Sequence, residues 1–345
     1  MSLRFLTLLS FIIIIGISCN NAEGKNSADD NSGKYVLVVH GGAGTISRQT
    51  MTPEREAQYR AGIEAALKAG YKIIEEGGEA LDAVEAAVRI LEDDSLFNAG
   101  KGSVFTHDGR NELDASIMDG RNRNAGAIAG VTIIKNPITA ARAVMEKSEH
   151  VMLAGRGAEL FAIEQNIDTV SPEYFRTEPR WRGLQRSLRA DSLKKVNSTA
   201  SLPADPDQKF GTVGCVALDK NGNLAAGTST GGMNNKKYGR IGDAPIIGAG
   251  SFADNNTVAV SCTGWGEFYI RNVVAYDVSA QMEYKNMSIA EASASVIKKV
   301  GDAGGNGGLI AIDKNGNIAM PFNTSGMYRG AITKDGKIEV YFYND

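Results

Sequence analysis

Apolar and polar positions follow two different periods along this chain, and each change of period marks an element. Tyr35 to His40 is an unbroken apolar run, the pattern of a buried strand, and it empties into the small-residue turn Gly41-Gly42-Ala43-Gly44-Thr45. That turn suits either tight packing or the lining of a site. Tyr59, Ile63, Leu67 and Ile74 then recur at helical spacing behind Thr52-Pro53-Glu54, where threonine is the cap and proline takes the first helical position. Leu81, Val84, Val88 and Leu91 predict a second helix. Leu113 to Met118 and Ala125 to Ile134 read as paired strands, followed by helices around Ile138 to Glu146 and Val151 to Ile163. From Gln165 the periodicity dissolves. Residues 166–210 hold Pro172, Pro179, Pro203 and Pro206, many charges and few periodic apolar positions, which predicts an exposed, mobile linker with helical fragments around Gly183 to Lys195.

Order resumes abruptly at Gly211. The β-branched run from Thr212 closes on Asn221-Gly222, a strong hairpin signal, and the return strand Leu224 to Thr230 ends in Thr228-Ser229-Thr230-Gly231-Gly232. Ile246-Ile247-Gly248 and Thr257 to Thr263 give further strands. Glu267 to Gln281 and Ile289 to Val300, the latter capped by Ser288, read as helices. Asp313 to Ala319 repeats the hairpin sequence Asp219 to Ala225 almost residue for residue, and Thr333 to Tyr343 supplies the last strands. This order suits helices on both outer faces of two stacked sheets.

Composition narrows the partners. A chain of 345 residues with 43% apolar and 22% charged residues builds an ordinary globular core, and a net charge of -3 offers no basic field for nucleic acid. Arg4 followed by the apolar run Phe5 to Ile17, too short to span a bilayer, reads as an export signal over 1–19. Cys19 at its end is a lipid-attachment candidate, so lipidated anchoring and plain secretion to the periplasm or cell envelope both stay open. Residues 20–33 are a polar tether. Cys215 and Cys262 lie on apolar strand-like runs, as buried free thiols or, in an oxidising compartment, as a disulfide.

Candidate chemistry centres on Gly211-Thr212. The three histidines sit in no nucleophile elbow, and no His/Cys cluster offers a transition-metal site. An internal threonine without a base is a weak nucleophile. Cleaving the Gly211–Thr212 bond would free an α-amino group whose unperturbed pKa is roughly 7.7–8.0, able to accept the hydroxyl proton near neutral pH. The plain alternative is that Thr212 only starts a strand. Glu112, Asp114 and Asp119 read as polar residues beside strands, and the loop Asp93 to Gly102 exposes carbonyls that can face an ion.

Several blocks, in order, resemble the plant-type L-asparaginase/isoaspartyl peptidase family of N-terminal-nucleophile hydrolases. They are His40 to Gly44, Leu96 to Gly100, Glu112 to Ser116, Gly211 to Gly214, Thr228 to Met233, Gly239 to Pro245 and Thr263-Gly264. The resemblance implies an α+β fold, a four-layer αββα sandwich, cut before Thr212 into an α chain (34–211, with the linker at about 166–210) and a β chain (212–345) that together form one catalytic domain. It implies Thr212 as nucleophile with its own amine as base, Thr230 hydrogen-bonded to that hydroxyl, and Thr263 with Gly264 holding the oxyanion. Substrate contacts would come from Arg240, Ile241, Gly242, Asp243, Thr263, Gly264, Trp265 and Gly266. Arg240 suits an α-carboxylate and Asp243 its ammonium.

The family also implies a structural sodium on the backbone carbonyls of Leu91, Glu92, Asp94, Phe97, Ala99 and Lys101, no cofactor for catalysis, and a dimer of αβ units. The expected activity is hydrolysis of the side-chain amide of L-asparagine or of β-aspartyl peptides. Trp265 departs from relatives, which usually carry a smaller or more polar residue there. Gly211 stands where the glycosylasparaginase branch typically has aspartate. The rival readings are a glycosylasparaginase releasing N-glycans and a non-catalytic binding lipoprotein of the envelope.

Overall fold

Val36, Val38, Val216 and Leu218 face one way, while Leu37, Val39, Cys215 and Ala217 face the other, and this period-two alternation builds two separate hydrophobic cores. The computed structural model describes residues 34–49, 51–196 and 211–344. The expected leader, the tether with Cys19 and linker residues 197–210 lie outside the described residues.

The chain runs through β1 (Val36–Gly44), α1 (Pro53–Glu75), α2 (Ala80–Asp93), β2 (Leu113–Asp119), β3 (Ala125–Val131), α3 (Pro137–Lys147), β4 (Met152–Ala154), α4 (Gly155–Glu164) and α5 (Glu178–Val196). It continues with β5 (Val213–Leu218), β6 (Leu224–Thr230), β7 (Ser251–Ala253), β8 (Val258–Gly264), α6 (Gly266–Asn272), α7 (Val274–Lys285) and α8 (Ile289–Asp302). The last strands are β9 (Gly307–Asp313), β10 (Ile318–Ala319), β11 (Gly326–Thr333) and β12 (Ile338–Tyr343). One sheet has the order β12-β11-β1-β5-β6-β2-β3-β4 and the other β10-β9-β8-β7. Helices α1 to α4 cover the outer face of the large sheet, and α7 and α8 cover the small one. The inner faces meet where β1, β5 and β6 cross β7, β8 and β9. The result is a four-layer αββα sandwich of the α+β class.

Local chemistry sets the ends. Thr52 Oγ1 accepts from the Arg55 N–H at 3.3 Å, with Pro53 opening α1. Ser288 and Glu291 form a reciprocal capping box on α8. Asn221-Gly222 closes the β5–β6 hairpin, with Gly222 at φ +79, and the repeated sequence closes β9–β10 with Gly316 in the same conformation.

Five expectations need correction. Gly41 to Gly44 do not form a turn after the first strand but are the last residues of β1, still paired with β11 beyond a register shift between His40 and Gly42. The stretch from residue 166 is not a structureless linker. It holds a 3-10 turn at Pro172–Phe175 and the 19-residue helix α5. Phe175 and Leu184 are buried, and Trp181 meets Phe105 edge-on at 5.2 Å. So narrow a buried stripe leaves little periodicity to read. The Val151 to Ile163 segment opens with β4, which pairs in parallel with β3. Ile246-Ile247-Gly248 is a turn carrying a single bridge, Ile247 to Ser251. The helix read from Glu267 to Gln281 is two, broken where Val273 adopts φ 49.

Candidate active site

Register brings the hydroxyls together. Val213 pairs with Ser229 and Gly214 with Thr228, so Thr212 falls opposite Thr230 on the inner face of the large sheet. Thr212 is buried, and its Oγ1 donates to Thr230 Oγ1 at 3.1 Å. Thr230 Oγ1 also accepts from the Gly232 N–H at 3.0 Å. Gly42, at φ +111, lies directly against the Gly211–Thr212 bond, so the glycine-rich end of β1, where its register with β11 shifts, lines the site.

Sequence reasoning placed Asn98 only inside a matching block and gave it no task. Its backbone carbonyl accepts from the Gly231 N–H at 3.0 Å, its Nδ2 donates to the Gly232 carbonyl at 2.8 Å, and its Oδ1 accepts from the Val104 N–H at 2.9 Å. A side chain on Gly211 would meet the Asn98 Cβ at 3.1 Å. Asn98 thus ties the end of β6 to the loop beside the Gly211–Thr212 bond.

Behind Thr212, a polar seam crosses between the sheets. His40 Nε2 and Ser261 Oγ lie 2.9 Å apart, Thr228 Oγ1 and Ser261 Oγ 2.7 Å apart, and Thr228 Oγ1 donates to the Gly250 carbonyl at 3.1 Å. Burial lowers the His40 imidazole to about 3, against a smaller opposing pull from the Thr212 backbone. His40 is therefore neutral near neutral pH. Gly214 leaves the space this seam needs, because a methyl there would fall 2.5 Å from His40 Nε2.

Thr263, at the end of β8, accepts from the Ala43 N–H through Oγ1 at 3.3 Å, which joins the small sheet to the glycine-rich end of β1. Gly264 packs so closely under Asn306, Tyr269 and Gly307 that a Cβ there would lie 2.7 Å from the Tyr269 ring. Gly264-Trp265-Gly266 leads to Arg240 and Asp243: a Cβ on Gly266 would be 2.8 Å from Arg240 Nη2 and 2.9 Å from Asp243 Oδ1. Gly242 lies under the guanidinium, while Ile241 is exposed at the rim.

Asp243 is buried, its Oδ2 has no hydrogen-bond partner, and burial pushes its carboxyl up to about 7. Arg240 does not pair with Asp243 as the three-residue spacing suggests. Its Nε and Nη2 instead donate to Glu267 Oε1 and Oε2 at 2.9 and 2.8 Å. Glu267 follows Gly266 directly, so its place beside the block was legible, but nothing in the sequence reported this pairing.

The loop after α2 winds its carbonyls inward. A methyl on Gly100 would collide with the Glu92 carbonyl oxygen, and one on Gly102 with that of Phe97. Such a cradle of backbone oxygens around side-chain-free positions fits a hard cation. Lys101 holds its ammonium over the Tyr174 ring, 5.4 Å from the centroid. Leu91 and Ala99 are buried, and Asp94 Oδ1 accepts from the Leu96 N–H at 3.0 Å. Arg180 of α5 donates to the Leu96 and Gly102 carbonyls at 2.9 and 2.8 Å. Glu92 Oε1 accepts from Ser229 Oγ at 2.7 Å and from the Ile138 N–H at 3.0 Å, and burial still pushes that carboxyl up to about 8. Cys215 and Cys262 are both free and buried, and burial raises both thiols.

This fold and this arrangement are those of a hydrolase with a threonine at the head of a central strand. A family model described as asparaginase matches residues 33–342, and the chain belongs to that family. It is 53% identical over 298 residues to an isoaspartyl peptidase of Escherichia coli K12, covering 86% of this chain and 92% of the relative. It is 49% identical over 331 residues to a putative isoaspartyl peptidase/L-asparaginase of Dictyostelium discoideum, covering 89% and 95%. A probable isoaspartyl peptidase/L-asparaginase 2 of Arabidopsis thaliana is 43% identical over 324 residues, covering 89% and 98%.

Proposed function

We propose that the chain is a self-processing threonine amidohydrolase that cleaves β-aspartyl peptides and the side-chain amide of L-asparagine. One observation carries the reading: a buried carboxylate with an unpartnered oxygen, Asp243, stands next to a guanidinium, Arg240, across Gly266 from the strand that bears Thr263. An aspartyl group presents the matching ammonium and carboxylate on a single carbon.

Processing begins when Thr212 Oγ attacks the Gly211 carbonyl carbon. The C–N bond breaks, the nitrogen takes a proton to become an amine, and water hydrolyses the resulting ester. In turnover the freed amine accepts the Thr212 hydroxyl proton as Oγ attacks the substrate's side-chain carbonyl. Thr230 orients the hydroxyl, and Thr263 Oγ1 with the Gly264 N–H receives the oxyanion. The amine then passes the proton to the leaving nitrogen, and water hydrolyses the acyl ester. Ile241, Gly242, Trp265 and Gly266 shape the walls of this pocket. The carbonyls of Leu91, Glu92, Asp94, Phe97, Ala99 and Lys101 would hold a sodium ion, which would stiffen the loop carrying Asn98 and supply no chemistry to the reaction.

The processed form is a dimer of αβ units, and residues 1–19 direct export with Cys19 as an acyl acceptor. These two readings rest on the family resemblance and on the leader-like sequence respectively. The deciding experiment for the enzyme is a denaturing gel with N-terminal sequencing, alongside turnover of a β-aspartyl dipeptide and of L-asparagine. A new amino terminus at Thr212 together with hydrolysis is the expected result. An active preparation made only of intact chains would overturn the reading.

A further inference from the structure

We propose that Glu267 is a positioning residue that, held by Trp265, fixes one edge of Arg240 and thereby makes the site selective for aspartyl groups with a free α-carboxylate. The inference rests on the reading of Arg240 as the α-carboxylate partner and adds the device that sets its geometry.

A guanidinium carries five donors in one plane and can meet a carboxylate with either of two edges. In Arg240 the Nε–Nη2 edge is spent on Glu267, with both bonds under 3 Å. The edge that includes Nη1 is left to other groups. That edge lies over Gly242, where a methyl would sit 2.8 Å from Nη1. Gly266 separates the guanidinium from Asp243 with no side chain of its own. The guanidinium thus bonds Glu267 and not Asp243, whose Oδ2 has no partner.

That pairing needs a cause, because Asp243 and Asp114 both attract Arg240 electrostatically, and the Arg240 side chain is only 18% exposed. Left alone, the guanidinium would gain by turning to Asp243, and each would then cancel the other's capacity for substrate. The two-point grip of Glu267 competes with that collapse.

Trp265 reinforces the grip. Its side chain hydrogen-bonds the Glu267 carboxylate, for which an indole has only its N–H to offer. Its ring packs on Phe268 at 5.0 Å between centroids, which fixes the indole in turn. Trp265 thus acts on Arg240 through Glu267.

The test compares the purified, processed full chain with its Glu267→Gln and Trp265→Phe variants. Each is assayed on a β-aspartyl dipeptide with a free α-carboxylate and on the same dipeptide with that carboxylate amidated. Glu267→Gln should raise KM for the free acid by about tenfold or more with a much smaller change in kcat, and should shrink the preference for acid over amide. Trp265→Phe keeps a ring but loses the N–H, so it should move the same two quantities by less. Trp265→Phe also serves as the readout if Glu267→Gln does not fold. Unchanged KM and preference in the processed variants, or equal losses on both substrates, would overturn the positioning role. A wild-type protein inactive on both substrates would instead overturn the β-aspartyl reading, and this inference with it.

Discussion

A methyl group added to Gly42 would sit 2.7 Å from the Cα of Gly211 and 3.3 Å from the Thr212 nitrogen. The glycine bend near the end of β1 therefore presses on the Gly211–Thr212 bond, and it does so from φ +111, a conformation that side chains resist.

Gly42→Ala should leave the precursor largely intact. The collision and the backbone strain, of order 1–3 kcal/mol for such a conformation, displace either the bend or the scissile peptide. A time course on denaturing gels checks this: the uncut band should persist at least about ten times longer than in wild type, a factor that about 1.4 kcal/mol on the barrier produces. Processing at the wild-type rate would show that the bend does not constrain the bond.

Thr230→Val removes the acceptor shared by the Thr212 hydroxyl and the Gly232 N–H while nearly preserving volume. Turnover per mole of free Thr212 amino terminus should fall about 100-fold or more, the usual scale for a lost proton-transfer partner or orienter. Normalising to the exposed amine separates this loss from any defect in processing.

The raised Asp243 carboxyl sets a pH dependence. Its pKa is pushed up to about 7, so the group is neutral below that pH and cannot pair with a substrate ammonium. kcat/KM for a β-aspartyl dipeptide should therefore climb as pH rises through about 7. The Thr212 amine, roughly 7.7–8.0 when unperturbed, extends the climb. Asp243→Asn should lose the lower part of that rise and show a higher KM. A profile flat between pH 6 and 8 would contradict both assignments.

Sodium should stabilise the loop around Phe97. Tm measured in sodium chloride should exceed that in choline chloride at equal ionic strength, and the gain should grow with sodium concentration as expected for a ligand bound only by the folded state. Equal melting in the two salts would remove the ion from the loop.

Much of this was legible before any coordinates. The hairpin at Asn221-Gly222, the caps at Thr52 and Ser288, and the strand opening beside Thr212 follow from local rules, because each depends on residues close in sequence. Helix α5 was read only as fragments around Gly183 to Lys195, because its packing hangs on Trp181, Leu184 and a few polar contacts spread over 19 residues. The break at Val273 was missed for another reason: a β-branched residue at φ 49 runs against local preference, so no local pattern announces it.

Site residues divide in the same way. The pairing of Thr212 with Thr230 came from the family resemblance, because a two-residue Asn221-Gly222 loop would set Thr212 opposite Gly231, whereas the observed register has Val213 opposite Ser229. The pairing of Arg240 with Glu267, the unpartnered oxygen of Asp243, and the contact of Gly42 with Gly211 all join segments far apart in sequence. No local pattern reports such distances.

The order of the large sheet interleaves what lies before the Gly211–Thr212 bond with what lies after it. Strand β1 sits between β11 and β5, and β2 is hydrogen-bonded to β6. Severing that bond releases neither fragment, since each is zipped into the other along several edges. It does erase the covalent memory of how they were threaded. The mature molecule is thus expected to melt once and not return, because regaining its shape would require two separate polypeptides to find each other and interdigitate unaided.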